Sequence, residues 1–344
     1  MKKVNLKQLS ESLGLSQTTV SRALNGYPEV KEATRQKVQD AARRMNYAPN
    51  PGARGLATGR SMAIGHVIPV SKQHEMVNPI FGDFVAGASQ TYSGRGYDMV
   101  LTHVDDGDEE SVYRMLASKG RVDGIIVHGP RNDDARIPLL NSLRIPFVVH
   151  GRSSQSDQDY SWVDVNNQRS FRRATEFLLD LGHRRIALIN GLEDMDFARR
   201  RRAGFLSAFE GRAVQPDPSL MCSAEMTEYY GHQETVKMLQ TDNPPTAILA
   251  SSLISGLGVR RAIEEIGMTV GQDVSVIVHD DMLSYLTEPK EVPLFTATRS
   301  SVRVAGQISA DLLMKLVDNP TCEPEHILLE AELVVGRSTG PAPR

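Results

Sequence analysis

Gln17, Thr18, Ser21 and Arg22 fall within six positions of one another, and they are side-chain types that read base edges. An arginine fork bonds guanine bidentately, a glutamine amide pairs with adenine, and a threonine offers a hydroxyl and a methyl to thymine. The chemistry they suggest is major-groove recognition of DNA, with Asn25 at the end of the same segment. A merely solvated face on a small helical domain is the competing reading.

Two short helices must position these groups. Leu6, Leu9 and Leu13 share one helical face, and Val20, Ala23 and Leu24 share the apolar face of the segment that carries Arg22. Gly14 supplies the turn between them, and Ser16 is the expected N-cap of a helix starting at Gln17. A third helix is predicted from Glu32 to Asn46, with Val38, Ala41, Ala42 and Met45 inward, ended by the prolines of Tyr47-Ala48-Pro49-Asn50-Pro51. A helix-turn-helix head over residues 1–49 follows.

The next stretch, NPGARGLATG, is a weak helix. Asn50 can cap it, Pro51 suits its first turn, and Ala53, Leu56 and Ala57 make a short apolar face. Gly52 and Gly55 each cost about 0.8–1 kcal/mol relative to alanine, so the segment at 50–60 is expected to fold only when bound. An ordinary flexible linker is the alternative.

Charge is divided along the chain. Residues 1–60 hold 11 Lys and Arg against 4 Asp and Glu, and the remainder holds 28 against 38, which hides a basic head inside a net charge of −3. Attraction to phosphate is thereby confined to the head. Cys222 and Cys322 have no metal-ligand spacing, no apolar leader follows MKK, and no run approaches a membrane span, so a cytoplasmic protein without cofactor or metal is expected. No GxxxxGK[ST], GxSxG or HExxH occurs, and neither a catalytic residue nor an enzymatic activity is predicted.

From Ser61 onward apolar strands alternate with helical stretches. Met62–Val67, Asp98–Thr102, Gly124–His128, Phe147–His150, Ile186–Asn190, Ala247–Ala250 and Ser275–His279 are the strand candidates. Such alternation implies doubly wound α/β layers with parallel sheets, and a break after Trp162 suggests two lobes with a cleft at their strand ends.

The strings TTVSRALN (18–25), VKEATRQKV (30–38), NYAPN (46–50), ARGLATGRS (53–61), VDGIIVHGP (122–130), LGHRRIALING (181–191), RRAGF (201–205), DVSVIVHDD (273–281) and GRSTGP (336–341) resemble the LacI/GalR family of bacterial transcriptional regulators over nearly the whole chain. The resemblance implies a two-lobed, periplasmic-binding-protein-like core. Its N-terminal lobe is expected over 61–162 and 293–322, its C-terminal lobe over 163–292 and 323–340. It also implies a homodimer on a pseudo-palindromic operator, in which Gln17, Thr18 and Arg22 read bases, Ser21, Asn25 and Ala53 join the contact, and Leu56 wedges into the minor groove.

For the cleft, the resemblance assigns Arg201 and Asp280 as ligand-binding charges, His128 as a polar contact and Phe81 and Met226 as walls. His150 and Arg152 follow a strand end that opens on the cleft, and Ser252 belongs to the same set. This chemistry suits a polyol, because carboxylates and an arginine fork each bond two hydroxyls. Ser252-Leu253 stands where many members carry Asn-Asp, Val278-His279 replaces a Gly-aromatic pair, and Asn166 and Ser170 replace a common aspartate and glycine, so the cleft is retuned.

HRRIALING and SSLISGLGVRRAI resemble the α-glucoside-regulator branch, which points to disaccharides or α-glucosides. A monosaccharide, a sugar phosphate held by Arg152 and Arg201, or a non-sugar are the alternatives. The expected function is repression of a carbohydrate operon; a sugar-binding protein without a regulatory role and an activator are the rivals. Three further runs are expected to add no site of their own: Arg199–Arg202 is one functional arginine, Arg201, with solvated neighbours, Asp105–Glu110 only loosely resembles a calcium loop, and Gly256-x-Gly258 is too weak for a phosphate motif. No heptad run follows Thr339, so a zipper-built tetramer is not expected.

Overall fold

Asn5 opens the first helix by a reciprocal capping box with Gln8, and Gly14 closes it at φ 63°, the left-handed geometry that favours glycine. A computed structural model describes residues 4–47, 59–69, 78–104, 109–286 and 292–343, apart from the side chains of residues 68, 69 and 103. It divides into two compact units, Met1–Met62 and Ala63–Arg344. Ala53, Leu56 and the rest of the predicted helix up to residue 58 lie outside the described residues, as do residues 105–108 of the acidic run.

Among its described residues the first unit holds α1 (Leu6–Leu13), α2 (Gln17–Leu24) and α3 (Glu32–Arg44). Ser16 caps α2 by accepting from the Thr19 amide. Leu9, Val20, Ala23, Val38, Ala41 and Ala42 form its core, with Leu6, Leu13 and Leu24 partly buried against it.

The second unit holds two six-stranded sheets. In chain order the first lobe contributes β1 (Ala63–Pro69), α4 (Pro79–Gly94), β2 (Asp98–Val104), α5 (Glu109–Ser118), β3 (Gly124–His128), α6 (Arg136–Leu143), β4 (Phe147–His150) and β5 (Ser161–Val165). The second lobe follows as α7 (Asn167–Asp180), β6 (Ile186–Asn190), α8 (Asp196–Ser207), β7 (Met221–Ser223), α9 (Glu228–Leu239), β8 (Ala247–Ala250), α10 (Leu253–Glu265), β9 (Ser275–Asp280) and β10 (Thr296–Arg299). The chain then returns through α11 (Val302–Asp318) and β11 (His326–Leu329) and ends its strands with β12 (Glu332–Val334).

Strand order is β11-β5-β4-β3-β1-β2 in one sheet and β12-β10-β9-β8-β6-β7 in the other, parallel except for β12 against β10. Each order reverses beside its first strand, at β1/β3 and β6/β8, and crevices at such switch points are where α/β folds bind ligands.

The expected lobe boundaries shift. β5 stays in the first sheet through Val165, β10 belongs to the second although 293–322 was assigned to the first lobe, and β11 pairs with β5 although 323–340 was assigned to the second. The chain therefore crosses between lobes near residues 166, 300 and 330. Trp162 is the second residue of β5 and not a boundary, and the short β10 and β11 have too little apolar run to announce their sheet.

Gly258 has a packing role. A Cβ there would lie 1.9 Å from the Glu228 carbonyl oxygen, and one on Gly231 would lie 2.1 Å from that of Ser255, so α9 and α10 cross backbone to backbone through this pair.

Candidate functional site

On α2, Gln17, Thr18 and Arg22 are exposed while Val20 and Ala23 turn inward. Ser21 Oγ accepts from Asn25 Nδ2 at 3.4 Å, which engages both of these flanking side chains. The buried side of the helix leaves Gln17, Thr18 and Arg22 as a continuous polar face available to a partner.

In the second unit a cavity of about 390 Å³ opens at the strand ends between the lobes, within the size range of small-ligand sites. Of the predicted residues, Phe81, His128, His150, Arg152, Arg201 and Met226 line it. Ser252 and Asp280 do not. Ser252 is the N-cap of α10, buried, with its hydroxyl accepting from the Ser255 amide. Asp280 directs one oxygen to the Met282 amide at 2.8 Å and the other to Arg299 Nε at 3.0 Å. The neighbouring Asp281 lines the cavity instead, because successive residues at a strand end face opposite ways.

Arg201 is held from three sides. Its Nε donates to Asn167 Oδ1 at 2.7 Å, its Nη1 to the Ser251 carbonyl, and its guanidinium lies 5.1 Å from the Phe171 and 4.9 Å from the Phe197 ring centroids. Burial lowers its pKa to about 10, so it stays charged at neutral pH with Nη2 unspent.

Arg200, expected to be a solvated neighbour, is instead only 8% exposed. It donates to Asp164 on β5 and to Asp196, an ion-paired link between the two lobes. Arg202 pairs with Glu193 at 2.6 Å, and Arg199 alone of the run is exposed. Asp164 also faces Arg152 at 3.0 Å, and the Arg152 guanidinium lies 5.2 Å from the centroid of Trp162. Asp164, Asp281 and His279 are cavity residues that the sequence reading missed.

The first lobe also supplies a neutral, aromatic stretch of the wall. His128 meets Phe81 and Phe84 edge to face at 5.1 and 4.9 Å between centroids, and His150 lies 4.3 Å from Phe84. Behind them His66 Nδ1 lies 3.0 Å from His128 Nε2. Burial lowers the pKa of His66 to about 3, that of His150 to about 4 despite Asp164 and Asp281, and that of His128 well below its ordinary value.

Native protein thus refuses protons that the unfolded chain accepts below about pH 6.5. Stability is expected to fall as pH drops, by about 1.4 kcal/mol between pH 7.5 and 5.5 for each histidine held neutral. Urea unfolding at the two pH values checks this, and an unchanged midpoint contradicts it.

Beside the cavity the lobes also touch through backbone. Arg131 and Met195 form an antiparallel bridge, the Asp196 amide donates to the Pro130 carbonyl at 3.1 Å, and the Asn132 amide donates to that of Asp194 at 3.2 Å. Asn132 Nδ2 donates to the Glu193 and Asp194 carbonyls, and the Ser154 amide to Asp196 Oδ1. Among the described residues no cluster of metal-ligating side chains occurs, and no helix is long and apolar enough to cross a membrane.

Comparison with known proteins gives two family matches: "Bacterial regulatory proteins, lacI family" over residues 6–50 and "Periplasmic binding protein-like domain" over 175–339. The HTH-type transcriptional regulator AglR of Rhizobium meliloti (strain 1021) is 46% identical over 341 residues, 99% of this chain and 95% of its own length. The HTH-type transcriptional regulator CelR of Thermobifida fusca is 30% identical, covering 97% of each chain. Among solved structures, a lac repressor dimer bound to operator and the anti-inducer ONPF matches at TM-score 0.83 and 28% identity, covering 98% of this chain and all of the other. A CelR–cellobiose complex matches at TM-score 0.72 and 28% identity with the same coverage.

Proposed function

The chain belongs to the LacI family of bacterial helix-turn-helix transcriptional regulators, and from that premise we propose that it represses a carbohydrate transport or utilisation operon until a neutral disaccharide or α-glucoside enters the interlobe cavity. It acts as a cytoplasmic homodimer without enzymatic activity. Two heads place Gln17, Thr18, Ser21, Arg22 and Asn25 on the half-sites of a pseudo-palindrome, and the 50–60 segment folds at its centre with Ala53 and Leu56 in the minor groove. The relatives' cellobiose and operator complexes support this assignment.

The carrying observation is the composition of the cavity. Arg201 and Asp281 offer a fork and a carboxylate for paired hydroxyls, while Phe81 and Phe84 supply apolar faces for a sugar ring. Asp164, Glu225, Asp281 and Glu228 stand in its lining against two arginines, Arg152 and Arg201, which disfavours a sugar phosphate. The effector contacts are Phe81, His128, His150, Arg152, Arg201, Met226 and Asp281.

A panel of sucrose, maltose, trehalose, glucose and glucose 6-phosphate tests the proposal on purified protein bound to its operator. Release by a neutral disaccharide is expected, with a change in fluorescence of Trp162, whose ring lies under Arg152 and stacks on His326 at 4.9 Å. Release by glucose 6-phosphate alone, or turnover of any sugar, overturns it.

A further inference from the structure

His128, His66 and Tyr92 form a buried file behind the cavity wall. His128 Nε2 lies 3.0 Å from His66 Nδ1, and His66 Nε2 lies 3.2 Å from the Tyr92 hydroxyl on α4. His66 is fully buried and Tyr92 is 1% exposed. A neutral imidazole carries one proton on one of its two nitrogens, so the file has two self-consistent settings.

In one setting Tyr92 donates to His66 Nε2, His66 Nδ1–H donates to His128 Nε2, and His128 is left with Nδ1–H. In the other, His128 Nε2–H donates to His66 Nδ1 and His66 Nε2–H donates to the phenol oxygen. The second setting strands the Tyr92 hydrogen, because His66 is the only hydrogen-bond partner of that hydroxyl among the described residues. A buried donor without an acceptor is costly, and it is rare in folded proteins. A phenol is also the stronger donor and an imidazole nitrogen the stronger acceptor, so both arguments favour the first setting.

We propose that Tyr92 and His66 lock His128 in the Nδ1–H tautomer, so that this wall of the cavity presents an uncharged donor and selects an effector with an acceptor oxygen there. A ring or glycosidic oxygen, which can only accept, fits that requirement; a group that can only donate is rejected. His66 and Tyr92 are positioning residues: neither lines the cavity, and each acts through His128. Burial keeps the imidazoles of His66 and His128 uncharged near neutral pH, which leaves tautomer choice as the variable. The selection of an acceptor oxygen rests on the cavity being the effector site. The tautomer assignment does not.

The test is long-range ¹H–¹⁵N spectroscopy of the full-length protein labelled with ¹⁵N-histidine at neutral pH, with His128→Gln identifying the His128 signal. Nδ1–H at both His66 and His128 is expected without any sugar present. In Tyr92→Phe the lock is removed, and a mixture including Nε2–H is expected. Half-release of operator by maltose or sucrose, whichever acts in the panel above, should then need about threefold to tenfold more sugar.

Nε2–H at His128 in the unaltered protein overturns the proposal, and that spectrum decides even if Tyr92→Phe does not fold. An unchanged tautomer in folded Tyr92→Phe removes Tyr92 from the role. A panel in which no sugar acts would sink the functional reading while leaving the spectrum to decide this one.

Discussion

Replacing Arg201 with alanine is expected to give a protein that holds its operator and no longer releases it. Arg201 sits on the first turns of α8, clamped by Asn167, the Ser251 carbonyl and two phenyl rings. Those contacts consume Nε and Nη1 and orient the remaining edge of the fork. Pre-organisation of this kind makes a charged donor effective, because little side-chain freedom is lost on binding. A hydrogen bond to a charged group contributes about 1.5–3 kcal/mol, and two from one fork put the expected loss of effector affinity near 100-fold or beyond.

Arg201→Lys keeps the charge but not the fork and should fall between. Titration of Trp162 fluorescence and of operator release checks both variants. An Arg201→Ala protein that binds its sugar within threefold of the parent excludes Arg201 from the site.

Arg22→Ala is expected to weaken operator binding by about 1–3 kcal/mol per half-site while leaving binding to random DNA nearly unchanged. Arg22 is exposed on α2, where burial of Val20 and Ala23 fixes the rotation of the helix. A bidentate contact with guanine puts the loss on one base pair of each half-site. Equal losses on operator and random duplex, with a reduced salt slope, would assign Arg22 to phosphate alone.

The head was the most legible part of the chain because its determinants are local. Ser16 caps Thr19, Gly14 takes the left-handed turn, and the leucine spacing gives the observed core. The Asn5–Gln8 capping box was readable in the same terms and was missed. The sheets were legible strand by strand where apolar runs are continuous, as in β3, β6 and β9. Their grouping was not, since which lobe receives β10 or β11 is decided by partners far away in sequence.

The cavity was legible for residues carried by strongly patterned strings, such as Arg201 in RRAGF and His128 in VDGIIVHGP. It failed at adjacent acids, where one residue of register decides whether Asp280 or Asp281 faces the cleft. Asp164 was missed because it belongs to a strand whose only buried apolar residue is Val163, and Arg200 because its two carboxylate partners come from separate elements.

The backbone bridge between Arg131 and Met195 also has a bearing on time. Where entry requires that bridge to part, the rate of sugar binding is expected to level off at the opening rate as sugar concentration rises, and brief gaps in supply shorter than the closed lifetime would pass unnoticed at the operator. Stopped-flow measurement of Trp162 fluorescence checks this; a rate that climbs linearly with sugar concentration shows that the cavity admits sugar with the lobes still fastened.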